Sequence, residues 1–204
     1  MLEQMSFPGF EGVSSNATRP VPGRKWRGPR KPFKLFFALF PEPEIAEAIS
    51  SLRSRLDRQH DIGGQPLRTE RLHITLHVLG EYDELPEADV VSARTVGDAV
   101  VASAFDVVFD RALTFRGSEA YVLRVGEGIE DIVAFWQSLG IAIADVRPYK
   151  KSPFTPHMTL SYRGRTMTEH TVAPIRWTVK EFVLINSHVG DTYHEVMGRW
   201  PLRV

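Results

Sequence analysis

The chain has 204 residues, 43% of them hydrophobic, which is enough to bury the core of one large domain or two small lobes. Its 25 basic and 25 acidic residues cancel, which argues against a bulk coating of nucleic acid and leaves any anionic substrate to a local basic site. No run of 18 apolar residues is present, no apolar signal core opens the chain and there is no cysteine, so the expectation is a cytoplasmic protein with neither a membrane span nor a disulfide framework.

Residues 1–32 carry Arg19, Arg24, Lys25, Arg27, Arg30 and Lys31 against Glu3 and Glu11, a net charge of +4, and are rich in proline and glycine. Such a stretch buries little apolar area and reads as a basic disordered tail, either an unselected extension or an electrostatic aid in holding RNA. A single two-lobed domain is expected from 33 to 204. It opens on the aromatic-rich strand Phe33 to Phe40, stopped by Pro41-Glu42-Pro43. From Glu44 to Arg58, Ile45, Ala48, Ile49, Leu52 and Leu56 recur at helical spacing. After Gly63-Gly64 a strand runs from Leu72 to Leu79, and a second helix from Pro86 to Ser103 with Val90, Val91, Val96, Val100 and Val101 inward. Phe105 to Phe115 and Ala120 to Val125 read as a hairpin. A third helix follows from Ile129 to Ala144, then strands at Pro156 to Arg163, Trp177 to Ser187 and Tyr193 to Pro201.

Two of these strands carry one tetrapeptide pattern, His73-Ile74-Thr75-Leu76 and His157-Met158-Thr159-Leu160. With this composition a single match to H-x-T-L arises by chance at about 3%, so two matches carry weight where one would not. Each lies about 36 or 37 residues after an aromatic-rich strand, with one helix between, so strand, helix and motif strand occur twice. Two α+β lobes packed together would bury what neither half covers alone, with antiparallel sheets facing a central cleft and helices outside.

Strand side chains alternate, so His73, Thr75 and His77 should share one face, and His157, Thr159, Ser161 and Arg163 the corresponding face of the second motif strand. Imidazoles move protons, while hydroxyls and a guanidinium hold anionic oxygens. That set suits a phosphodiester, with His73 and His157 as acid and base and Thr75, Thr159 and Arg163 on the non-bridging oxygens. No metal or other cofactor is required, and no carboxylate joins the motifs at ligand spacing. His77, Phe154, Lys150 and Lys151 are further candidates for substrate contact; Arg68, Arg71, Lys150 and Lys151 could line an RNA path, and Phe154 or Tyr149 could stack a base. His60, His170, His188 and His194 read as structural.

The chain resembles the 2H phosphoesterases, and within them the bacterial RNA 2',3'-cyclic phosphodiesterases, also named 2'-5' RNA ligases. The resemblance runs from Lys34 to Arg203. It rests on Leu35-Phe36-Phe37-Ala38-Leu39, on Glu70 to Leu76 with Leu79-Gly80, on Phe154 to Leu160, and on Tyr193 to Leu202. It implies a duplicated two-lobe fold and metal-independent hydrolysis of a 2',3'-cyclic phosphate, on an RNA end or a nucleotide, to a 2'-phosphate. It also implies the second histidine as base and the first as acid. The alternatives are 2'-5' joining of RNA, a small nucleotide cyclic phosphate or 2'-5' linkage as substrate, and an RNA-binding module without turnover. A monomer without an obligate protein partner is expected. The chain departs from its relatives at His77, where many have lysine, and at Tyr162, where many have arginine.

Overall fold

A computed structural model of the chain describes residues 31–149, 153–191 and 193–203. Most of the expected tail, and the Lys150-Lys151 pair, lie outside them. From Lys31 onward the chain forms one compact unit. Its first residues are tied down: the Pro32 carbonyl accepts from the Val189 amide at 2.7 Å and Lys31 pairs with Asp83 at 3.3 Å.

Two antiparallel sheets carry the fold. In the first, β3 (Ile74–Tyr82), β1 (Phe33–Leu39), β8 (Glu181–His188) and β9 (Tyr193–Pro201) lie side by side in that order. In the second the order is β2 (Gln65–Pro66), β6 (His157–Tyr162), β5 (Ala120–Val125), β4 (Phe105–Phe115) and β7 (His170–Val179). Setting β2 aside, each sheet has a motif strand at its margin, and the motif strands β3 and β6 contact one another. Duplication is visible residue by residue. Thr75 pairs with Ala38 and Thr159 with Val122, and both offsets are 84 (159 − 75 and 122 − 38).

Three helices complete the described unit: α1 (Pro43–His60), α2 (Glu87–Ala99) and α3 (Ile129–Val146). Their apolar stripes form one core with the inner faces of both sheets, through Ile49, Leu52 and Leu56 of α1, Ala93 and Val96 of α2, and Ile132, Phe135, Leu139 and Ile143 of α3. Phe36, Ala38, Val183 and Ile185, with Phe40 against them, form a separate cluster on the other face of the first sheet. That face carries the site.

The elements differ from expectation in two places. Helix α2 stops at Ala99 and buries Val90, Ala93, Val96 and Gly97, while Val91 is 54% exposed. Val91 is one position, about 100° of helix, from Val90, so both cannot face inward; Val100 and Val101 fall beyond the helix end. The strand expected from Trp177 to Ser187 is two strands divided at Lys180, and β7 begins at His170. Pro174 hid it. β7 is an edge strand whose register against β4 slips between Phe109 and Arg111, and an edge is where a sheet admits proline.

Candidate active site

A β-bulge in each motif strand decides which side chains share a face. In β3 Thr75 is opposite Ala38 and His77 opposite Phe37, so Leu76 is the extra residue. In β6 Thr159 is opposite Val122 and Ser161 opposite Tyr121, so Leu160 is extra, again 84 positions on. One inserted residue inverts the phase of the side chains that follow it, to the end of β6 and, in β3, through His77 and Val78 as far as a second slip at Leu79 that restores it. The carbonyls at both bulges find donors outside the ladder, Leu76 from the Trp136 indole at 3.1 Å and Leu160 from the Leu67 amide at 2.9 Å. Both distortions are therefore hydrogen-bonded features of the fold.

Residues before the bulges stand as alternation places them, and those after do not. His73 and Thr75 lie on the face of Phe36, Ala38 and Phe40; His157 and Thr159 take the equivalent positions on the second sheet. His77 is turned into the core, 2% exposed, its Nε2–H donating to the Trp136 carbonyl at 2.8 Å and its Nδ1 accepting from the Tyr149 hydroxyl. It stacks on Trp136 at 5.1 Å, so this third histidine packs against α3 and does not share the face of His73 and Thr75. Ser161 is likewise buried, its hydroxyl without a hydrogen-bond partner among the described residues.

Tyr162 takes the open face that alternation assigned to Arg163, and is 42% exposed. Arg163 follows the end of β6 in the left-handed region, at φ 60°, with its amide on the Glu119 carbonyl. Phe154 stacks on Trp136 at 5.0 Å and 8°, packed against the core, which leaves it a poor base platform. Arg68 is exposed and near Glu70 at 3.9 Å. Two hollows of about 490 and 600 Å³ lie elsewhere and contain no motif residue.

Both histidines are held alike. Nδ1 of His73 donates to the Arg71 carbonyl at 2.7 Å, and Nδ1 of His157 to the Thr155 carbonyl at 2.7 Å. A carbonyl only accepts, so Nδ1 carries the hydrogen and Nε2 is left as the proton-exchanging atom in each ring. Nε2 of His73 is 3.1 Å from the Thr75 hydroxyl, which donates to it. Around the rings, His73 lies over Phe40 at 5.2 Å and beside Phe36 at 5.4 Å, while Phe115 meets His157 edge-on at 4.8 Å.

Their affinities for protons differ. Burial, with the charges of Arg71, His157 and Lys34, holds His73 down at about 4, against the backbone bond to Arg71. His157 is lowered as well, by burial, with the Thr155 carbonyl opposing. The charge on one motif histidine is thus felt by the other across the lobes.

A residue assigned a structural role also belongs here. His194 of β9 meets His73 edge-on at 5.2 Å, and its Nε2 accepts from Arg71 Nη2 at 3.2 Å. Burial, His73 and Arg71 together hold it at about 3. Alternation along Tyr193-His194-Glu195-Val196 was visible, but only the strand order, with β8 between β1 and β9, brings His194 over Phe36.

Among the described residues no three His, Cys, Asp or Glu side chains group as metal ligands, and no helix is long and apolar enough to cross a membrane. The family model of the 2'-5' RNA ligase superfamily matches residues 41–191, or 151 of 204, including both motifs. The chain belongs to that superfamily. Its 2H phosphoesterase fold is that of solved structures: a phosphoesterase, 22% identical over 86% of this chain and 100% of its own at a TM-score of 0.67, and E. coli LigT complexed with ATP, 23% identical over 85% and 100% at 0.68. TT0787 of Thermus thermophilus is similar too, 21% identical over 83% and 98% at 0.66. Comparison with curated proteins gave no significant match. For this 2H phosphoesterase those likenesses are of fold, and the chemistry rests on its own two histidine and threonine pairs.

Proposed function

We propose that the protein hydrolyses a 2',3'-cyclic phosphate, at the end of an RNA or on a nucleotide, to a 2'-phosphate, without a metal. The single observation carrying this reading is the pair of imidazoles on contacting strands, each with Nδ1 fixed on a carbonyl and Nε2 left for proton transfer. One neutral ring takes a proton from water as its oxygen bonds to phosphorus. The P–O3' bond breaks, and the other ring gives its proton to O3'. Thr75, once its hydroxyl turns from His73 Nε2 to the substrate, and Thr159 supply donors to the non-bridging oxygens.

The surroundings argue for an order opposite to the one the resemblance implies. His73 sits among Arg71, Lys34, His157 and His194, whereas burial alone lowers His157. A single proton shared by the pair therefore rests on His157, making it the acid and His73 the base. With a 5'-hydroxyl in place of water the same steps join RNA ends: O5' bonds to phosphorus, the P–O3' bond breaks and O3' takes the proton, which leaves the 2'-5' linkage for which the superfamily is named. A substrate inside the cell, in the cytoplasm, and action as a monomer complete the proposal.

The pH dependence follows. The base must be neutral, which His73 is above about 4, and the acid protonated, which His157 is below a value lowered from 6.5. With a nucleoside 2',3'-cyclic phosphate in EDTA, kcat/KM should trace a bell with its maximum on the acid side of pH 6.5. A rate still climbing through pH 9 would exclude the paired histidines.

A further inference from the structure

Most half-buried arginines in this fold are neutralised. Of the four among the described residues, Arg53 lies 3.9 Å from Asp57, Arg124 2.6 Å from Glu169 and Arg147 3.8 Å from Asp89. The fourth is Arg71. No carboxylate among the described residues pairs with it; its Nη2 donates to the neutral ring of His194, and its Nε is buried without a partner. A guanidinium withdrawn from water without a counter-anion is costly unless an anion completes it.

We propose that Arg71 is the phosphate-binding cation of this site, held beside His73 by His194 as a positioning residue. This rests on the reaction proposed above and names the group that meets the substrate's charge. Three observations converge. Arg71 precedes His73 by two residues and supplies the carbonyl that fixes its ring, so the guanidinium and the base are set by one turn of backbone. His194 reaches both from the far side of the sheet, edge-on to His73 and against Phe36 and Phe40 at 5.8 and 6.0 Å. Finally, among the described residues of the second motif strand and its neighbour, Arg124, opposite His157 in register, is taken by Glu169, and the bulge puts Tyr162 on the strand position that alternation gave to Arg163.

His194 suits the role because it stays neutral. The groups facing it are Arg71, His73 and the two phenylalanines; those facing His73 are Arg71, Lys34, Thr75, His157 and His194. A carboxylate at position 194 would neutralise Arg71 and compete with phosphate, whereas an imidazole orients it and leaves its charge available.

The test is titration of the protein with inorganic phosphate, followed by calorimetry and by the imidazole proton signals of His73. Arg71→Ala should weaken phosphate binding about 10- to 100-fold, in line with the loss of charged hydrogen bonds. It should also move the titration of His73 upward from about 4. Arg71→Lys keeps the charge, should lose less affinity and should leave the His73 titration near that of the wild type; Arg71→Gln, uncharged and closer in size, serves if the alanine variant does not fold. His194→Phe keeps the ring contacts but loses the acceptor, and should raise KM more than it lowers kcat; His194→Gln, with an oxygen acceptor, should restore most of the loss. Wild-type phosphate affinity and an unmoved His73 titration in Arg71→Ala, or in Arg71→Gln where the alanine variant does not fold, would overturn the arm. Phosphate binding needs no turnover, so a protein inert toward cyclic phosphate but weakened by Arg71→Ala keeps the arm and loses only the reaction.

Discussion

Replacing either His73 or His157 with alanine is expected to lower kcat toward a nucleoside 2',3'-cyclic phosphate by about 10²- to 10⁴-fold, the worth of one general acid or base. Each ring is anchored by Nδ1 to a carbonyl two residues back, so its place depends on local backbone and not on its partner. Deleting one should leave the other in position but without a complementary proton carrier. The double variant should therefore be little slower than the worse single variant, because the two rings act in one step. Thr75→Val and Thr159→Val remove a donor but no proton carrier, and their losses should be smaller. Steady-state rates in EDTA for the two single variants and the double variant measure this. Wild-type activity in either single variant would exclude that ring from the chemistry.

The largest loss of stability is expected at Trp136. Its ring lies between His77 at 5.1 Å and Phe154 at 5.0 Å, nearly parallel to both, and its indole nitrogen donates to the carbonyl of the bulge residue Leu76. Trp136→Ala would open a cavity, part His77 from Phe154 and orphan that carbonyl. A large buried aromatic cut to alanine costs about 3–5 kcal/mol, which for a unit of this size lowers the melting temperature by roughly 6–20 °C. Trp136→Phe keeps most of the stacking and loses the donor, so its cost should fall nearer the roughly 1–3 kcal/mol of an unsatisfied buried group. Thermal melts of the two variants distinguish cavity from lost hydrogen bond. A melt of Trp136→Ala within about 2 °C of wild type, well short of that expected shift, would show that the stack does not hold the bulge.

Those bulges explain where sequence reasoning succeeded and where it stopped. Period-two alternation correctly set His73 with Thr75 and His157 with Thr159, because both pairs precede the inserted leucine. It misplaced His77, Ser161 and Arg163, which follow it. Nothing in H-x-T-L marks the insertion; it depends on a tryptophan from α3 in one lobe and on the Leu67 amide in the other, contacts made by distant segments. Helix and strand identities were legible from apolar spacing, down to the bounds of the β4–β5 hairpin. β7 was not, since Pro174 breaks the pattern that an edge strand nonetheless tolerates. His194 was invisible for another reason: alternation gives a residue its face, but not the neighbouring strands that carry that face to Phe36 and His73.

Duplication also sharpens the difference between the lobes. The same 84-residue offset relates Phe40, which lies over His73, to Arg124, which lies opposite His157. One lobe thus surrounds its histidine with aromatic rings and a carboxylate-free arginine, and the other with an arginine already bound to Glu169. This asymmetry gives the two imidazoles different surroundings, the ground for the acid and base order proposed above.

The most direct measurement follows the phosphorus nucleus while the wild-type protein acts on a nucleoside 2',3'-cyclic phosphate in EDTA. The cyclic resonance is expected to give way to a single 2'-phosphomonoester, with no conversion by the His73→Ala, His157→Ala variant. A 3'-phosphate product, an undiminished rate in the double variant, or no turnover by the wild-type protein would contradict paired-histidine hydrolysis at this site.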